Sequence, residues 1–344
     1  MRADTVTKDY ISDTTVFADV FNYYIHGGRQ VIDPGQLTER DPGEIALPYG
    51  ADGAVVPIQK FRDVQKLCTV MSDGHLRFVL YGVENQAEVH YAMPVKNNLY
   101  DALDYAGQVE EAAKSHRKDR ERNKESKAAT VKNKKALSSG EFLSGFWKED
   151  RLIPSVTVTL YFGSEEWQGP LSLFEMMEED PRILSCMDDY HVRLIAPAQM
   201  EEEEIMKFQS SLREVLLFIK YSKDKKNLAK MLKQNEERFQ DMERRAVDVI
   251  EVITHAGLKF KEVEGRVNVC QAIQEMREEE RIKGEERGKR IGEERGRRIG
   301  EDRQNELTRR LLQDDRLEDL RRAVNDSDYR ERLFAEYGIK DGRF

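Results

Sequence analysis

A chain of 344 residues, 39% hydrophobic and 35% charged, is long enough to bury one main core and too polar to be core throughout. Its formal net charge of −9 excludes a surface that is basic all over and leaves room only for a local cationic patch. No apolar run reaches the roughly eighteen residues of a membrane span, and Met1–Asp4 lead into polar residues without the apolar centre of a secretory signal. Cys68, Cys186 and Cys270 are odd in number and lack Cys-x-x-Cys spacing, so they read as buried thiols of a reducing, cytoplasmic location and not as a disulfide framework or zinc site.

In chain order, Val16, Phe17, Val20, Phe21, Tyr24 and Ile25 recur at helical spacing, with Ser12 or Asp13 as cap and Gly27-Gly28 as stop. Residues 33–54 are rich in proline and glycine and read as a loop able to close over a site; a short edge strand follows up to Gln59. The chain is then organised by a hairpin. One strand opens at Arg62-Asp63-Val64, an Asp73-Gly74 turn follows, and a second strand climbs through Leu76–Val83 into Glu84-Asn85-Gln86. This pairing brings Asp63 and Glu84 together near adjacent strand ends, where two carboxylates make a cradle for a hard divalent cation.

A helix from Met93 past Gln108 is expected to bury Leu99, Leu103, Ala106, Val109 and Ala113 and to present Asp101, Asp104, Gln108 and Glu111 on its other side. Lys114–Lys135 then carries ten basic residues against three acids, a net +7. So charged a segment reads as a projecting helix end or loop. It is either merely solvated or a source of phosphate contacts through Lys114, Arg117, Lys118, Arg120, Arg122, Lys132, Lys134 and Lys135. Ile153–Phe162 has the composition of a buried strand and His191–Ile195 that of another, while Tyr161 and Trp167 read as core aromatics or as stacking groups. The order helix, strands, helix, strand, strand suits a mixed sheet flanked by helices.

From Glu201 to His255 two apolar stripes predict helices, with Gly257 as terminator. Gly284–Ile291 and Gly292–Ile299 repeat one octet, with glycine every four residues through Gly300. Each interior glycine costs a helix about 1 kcal/mol and each Glu–Lys or Glu–Arg pair returns about 0.2–0.5 kcal/mol, which predicts a solvated spacer and not a stable isolated helix. Leu307, Leu311, Leu312, Leu317, Leu320, Val324, Leu333 and Phe334 predict a small helical module after it.

Arg62-Asp63, Gly82-Val83-Glu84-Asn85-Gln86, Tyr91-Ala92-Met93-Pro94 and Tyr100-Asp101-Ala102 together resemble the PD-(D/E)XK nuclease superfamily, and within it the Rpn-type recombination-promoting nucleases labelled as transposases. Phe17–Asn22 upstream, and Tyr161-Phe162-Gly163 with Trp167 downstream, extend the likeness over roughly the first two thirds of the chain. The resemblance implies an α/β fold with a restriction-endonuclease-like mixed sheet flanked by helices and an α-helical C-terminal extension. It implies residues 1–200 as a nuclease-like domain containing the basic loop 114–135, followed by a helical extension over 201–280, the spacer over 281–304 and the module over 305–344.

By the same resemblance the chain is a Mg²⁺-dependent (or Mn²⁺-dependent) DNA endonuclease that promotes recombination, with Asp63 and Glu84 as metal ligands and the Asn85 carbonyl completing the set. Gln86 stands where most of the superfamily has lysine, and its amide can orient a water but carries no charge. Asp19 is a candidate assisting acid or a solvated helix charge, and Arg62 reaches a phosphate or a surface carboxylate. DNA is the expected partner, with self-association through the C-terminal helices and no membrane. The alternative is a catalytically inactive nucleic-acid-binding or oligomeric scaffold.

Overall fold

The computed structural model describes residues 3–40, 43–46, 58–61, 63–72, 75–125, 137–178 and 180–340; Arg62, the Asp73-Gly74 turn, Lys132, Lys134 and Lys135 lie outside them. Two helices open the chain, α1 (Ala3–Ser12) and α2 (Thr14–His26). The Asp13 carboxylate caps α2 by accepting the Thr15 N–H at 2.9 Å, and Gly27 ends it at φ 63°, in the left-handed region that glycine enters without strain.

Strands β1 (Leu37–Glu39), β2 (Gly43–Ala46) and β3 (Ile58–Phe61) follow, then the hairpin of β4 (Val64–Ser72) and β5 (His75–Gln86). Next come α3 (Met93–Glu125), α4 (Ser139–Ser144), β6 (Ser155–Tyr161), α5 (Pro181–Leu184) and β7 (Leu194–Ile195). Among the described residues, β1-β4-β5-β6-β7 form a mixed five-stranded sheet and β2 pairs β3 separately. The region expected to be loop after residue 33 therefore supplies an edge strand: Leu37, Thr38 and Glu39 pair Cys68, Leu67 and Lys66. Three residues are too few to show a hydrophobic period, which is why the sequence hid them.

The two sheet faces are unlike. On one, Phe21 stacks on Tyr81 with ring centroids 4.3 Å apart, and Val83, Val158 and Leu160 are buried. On the other, α3 lies along β6 through polar groups. Asn97 Nδ2 donates to Thr159 Oγ1 at 2.9 Å and Thr157 Oγ1 to Asp101 at 2.6 Å. Ser155 Oγ and Gln65 Nε2 both donate to Asp104, and Gln108 exchanges two hydrogen bonds with the backbone of Ile153. Helix positions 97, 101, 104 and 108 form one stripe, and strand positions 159, 157, 155 and 153 alternate onto one face. The expectation that Asp101 and Asp104 point away from the core is thus corrected: both are buried, because the facing strand presents hydroxyls.

Further on come α6 (Glu202–Ile205), α7 (Leu212–Tyr221), α8 (Lys225–Gln234), α9 (Glu236–Gln240) and α10 (Arg244–Thr254), with α10 packed on α1 and on α7, α6 and α8 on α7, and α9 on α8; β8 (Met242–Glu243), β9 (Glu262–Val263) and β10 (Arg266–Val267) form a small sheet. The chain divides into compact units Met1–Ala272 and Ile273–Phe344. Of the thiols expected to be buried, Cys68 is, Cys270 is half-buried and Cys186 is exposed, in the turn that follows α5.

The octet repeat is helical, in contrast to the expected spacer: α11 runs Val269–Gln313. Ion pairs Arg281–Glu278 at 2.6 Å and Arg298–Glu294 at 3.1 Å brace it, and Leu307 and Leu311 pack with Ala323 of α12 (Leu317–Asn325) and with Leu333 and Phe334 of α13 (Ser327–Glu336). A helix nucleated by packing extends through residues that would not start one alone. A Cβ at Gly284, Gly288, Gly292, Gly296 or Gly300 would meet nothing within 4 Å.

Two outcomes follow from these contacts. Asp104→Ala strands the Ser155 hydroxyl and the Gln65 amide and is expected to cost about 2–4 kcal/mol in urea denaturation, against about 0.5 kcal/mol or less for exposed Asp119→Ala. Gly288→Ala with Gly292→Ala and Gly296→Ala adds about 1 kcal/mol of helix stability per site and raises the ellipticity at 222 nm of the full chain on warming.

Candidate active site

Backbone pairing sets the site. Leu80 N–H donates to Pro154 O at 2.8 Å and Phe162 N–H to Gln86 O at 2.8 Å, so even-numbered β5 residues bond toward β6. Odd-numbered Asn85 then turns its N–H and C=O toward β4. The ladder ends at Val64↔Val83, and Asp63 lies one step beyond, across from Glu84. Its carboxylate takes the next rung: Asn85 N–H donates to Asp63 Oδ2 at 2.8 Å.

Glu84 lies on the α3 face and is 1% exposed; Lys96, in the first turns of α3 and part-exposed, places its Nζ 2.7 Å from Glu84 Oε2. The register explains this meeting. Glu84 pairs Thr159, and Thr159 holds Asn97, the residue after Lys96. Gln86 ends β5, half-buried and on the Glu84 side by alternation. The Asn85 side chain points to the opposite face, buried, and neither its Oδ1 nor its Nδ2 has a partner among the described residues.

Burial pushes the Asp63 carboxyl above its ordinary value; the Asn85 N–H and the Lys96 charge pull it back, Asp4 of α1 pushes it further up and Lys8 opposes. Asp19 is held by partners of its own. Its Oδ2 accepts the Gln209 N–H at 2.8 Å, the Ser210 N–H at 2.8 Å and the Ser210 hydroxyl at 2.7 Å, so this buried acid closes the turn into α7. Its Oδ1 meets Gln30 Nε2 at 3.5 Å, and at 2% exposure Asp19 is not the solvated helix charge that was the alternative.

Lys114, Arg117, Lys118 and Arg122 are exposed on the distal half of α3, and Arg120 is half-buried over the Phe142 ring. Below them His116 stacks on Trp147 at 3.6 Å between centroids and meets Asp150 at 2.9 Å, fastening the helix to the segment before β6. Tyr161 and Trp167 are both 4% exposed and edge-on at 5.3 Å, inside the cluster with Met93, Val192 and Ala196, which settles them as core. Lys96 was not singled out by sequence. Its signal was positional: it precedes the first residue of a polar stripe that needed a polar strand to face.

Residues 144–249 match a family model described as "Putative transposase, YhgA-like". Over that stretch the chain is similar to a transposase-like family. The match takes in β6, β7 and α6 to α9 and stops short of Asp63, Glu84 and Lys96. No curated protein and no solved structure matches the chain. Among the described residues no three His, Cys, Asp or Glu side chains cluster as a ligand set, and no helix is long and apolar enough to cross a membrane.

A carboxyl raised by folding binds its proton more tightly in the native state, so its contribution to stability is lost as pH rises from the ordinary 3.8 through the raised value. Asp63→Asn keeps an oxygen for the Asn85 N–H and removes that loss. Its melting temperature is expected to equal or exceed the parent's at about pH 7, with the gap closing below about pH 4; a lower value at neutral pH would contradict the assignment.

Proposed function

We propose that the chain is a Mg²⁺- or Mn²⁺-dependent endonuclease acting on DNA, of the PD-(D/E)XK kind, and that it promotes recombination. The observation that carries this reading is the rung formed by Asp63 and Asn85 one residue from the buried, ion-paired Glu84. Hard oxygen donors suit magnesium, which is content with one or two carboxylates and several waters, so the absence of a third acid is no obstacle. Asp63 Oδ1, Glu84 and the β4-facing Asn85 carbonyl would hold it. When bound, the cation lowers the pKa of a water and screens charge on the phosphate.

The chain's own groups do the rest. The Asn85 N–H fixes the Asp63 carboxylate so that it need not reorganise when a ligand arrives. The Gln86 amide, two residues beyond Glu84 on the same face, is positioned to accept from and orient the attacking water. Exposed Lys114, Arg117, Lys118 and Arg122 lie on the helix that begins at the site. At ~1.5 Å per residue they fall ~27–39 Å from Lys96 along α3, about one turn of duplex away, so a duplex laid along α3 meets both. The similarity to a transposase-like family over residues 144–249 supports a substrate of DNA. Self-association through the C-terminal helices belongs to the same reading, since cutting both strands favours a pair of sites.

The parent is expected to nick supercoiled plasmid with Mg²⁺ or Mn²⁺ and not with EDTA. Asp63→Ala and Glu84→Gln lower the rate about a hundredfold or more with unchanged far-ultraviolet circular dichroism. Duplex binding that is independent of metal, with no product at any Mg²⁺ or Mn²⁺ concentration, leaves the silent scaffold as the answer. Replacing Arg117, Lys118 and Arg122 by alanine should flatten the slope of log affinity against log salt by about 2.7, at about 0.9 per phosphate contact.

A further inference from the structure

Resting on the nuclease reading, we infer that Lys96 is a second catalytic group of this site: it holds the cation position beside Glu84 when no metal is bound, and it turns to the phosphate of the substrate once a metal takes Glu84. Three observations converge on it. Its Nζ stands 2.7 Å from Oε2 of a carboxylate that is 1% exposed, while the lysine side chain itself is 27% exposed, so the ammonium lies at the solvent side of the acid, where a ligand enters.

The second is the stiffness of its mount. Met93 is fully buried and Asn97 is tied to Thr159, so the backbone on either side of Lys96 is fixed while four side-chain torsions remain to move the ammonium. Third, the neighbour at the usual place for a charge, Gln86, is neutral and shares the Glu84 face. At the position two beyond Glu84, the developing negative charge meets an amide and no cation.

A lysine that did nothing but neutralise a buried acid would show the same ion pair, so the roles must be separated by what happens to metal affinity. Lys96 donates hydrogen bonds and charge throughout and gives up no proton. Removing it takes away a competitor for Glu84 and a contact to the phosphate together. Those two losses pull in opposite directions.

The test compares the parent, Lys96→Met, Lys96→Arg and Asp63→Ala by Mn²⁺ titration followed by electron paramagnetic resonance without DNA, and by plasmid nicking at saturating Mn²⁺. Lys96→Met is expected to bind Mn²⁺ at least as tightly as the parent and to nick about a hundredfold or more slowly, the scale of losing one preorganised donor. Lys96→Arg, which keeps charge and fold, should recover at least a tenth of the parent rate. Nicking by Lys96→Met within threefold of the parent overturns the inference. So does a loss that follows weakened Mn²⁺ binding and is restored by more metal, since that is a purely structural role. A parent that nicks only when Asp63 is intact keeps the nuclease reading in either case; a parent that binds no Mn²⁺ and leaves plasmid intact removes both.

Discussion

The contact on which the site depends is the polar seam between α3 and β6. Helices usually meet sheets through apolar surface, whose attraction does not depend on register. Here Asn97, Asp101, Asp104 and Gln108 each require a particular partner at positions 159, 157, 155 and 153. A shift of α3 by one residue would leave several buried polar groups unpaired at a cost of about 1–3 kcal/mol each, so only one register is tolerated. That register sets Lys96 over Glu84.

The seam also separates two kinds of stability. On the far face, the aromatic stack of Phe21 on Tyr81 and the buried valines and leucines of β5 and β6 supply the non-directional attraction that holds the sheet to α1 and α2. On the near face, directional bonds supply position and little net energy. Tyr190 extends this side by donating to Asp101 at 2.7 Å, and burial together with that carboxylate drives its hydroxyl pKa far up, so the phenol stays a donor over the whole physiological range.

Much of the architecture was legible because it follows period. The α2 stripe, the β4–β5 pairing and the β-branched run of β6 each announce their element, and a mixed sheet with helices follows from their order. What escaped was set by partners. Asp101 and Asp104 look like a solvent face until Ser155, Thr157 and Thr159 are seen as an alternating set of hydroxyls on one strand face. Both patterns were in the sequence, but neither says alone which helix faces which strand. Asp19 shows the same limit: its Oδ2 is bonded by Gln209 and Ser210, far along the chain. That positions 63 and 84 lie across from each other follows from the hairpin pattern, whereas Lys96 beside Glu84 comes into view only through the fold.

The open surroundings of the α11 glycines reach beyond the helix they sit in. Since a side chain there would touch nothing, no contact at these glycines fixes how many copies of the octet the helix carries. Each copy lengthens a helix by about 12 Å and advances it by about 80° around its axis.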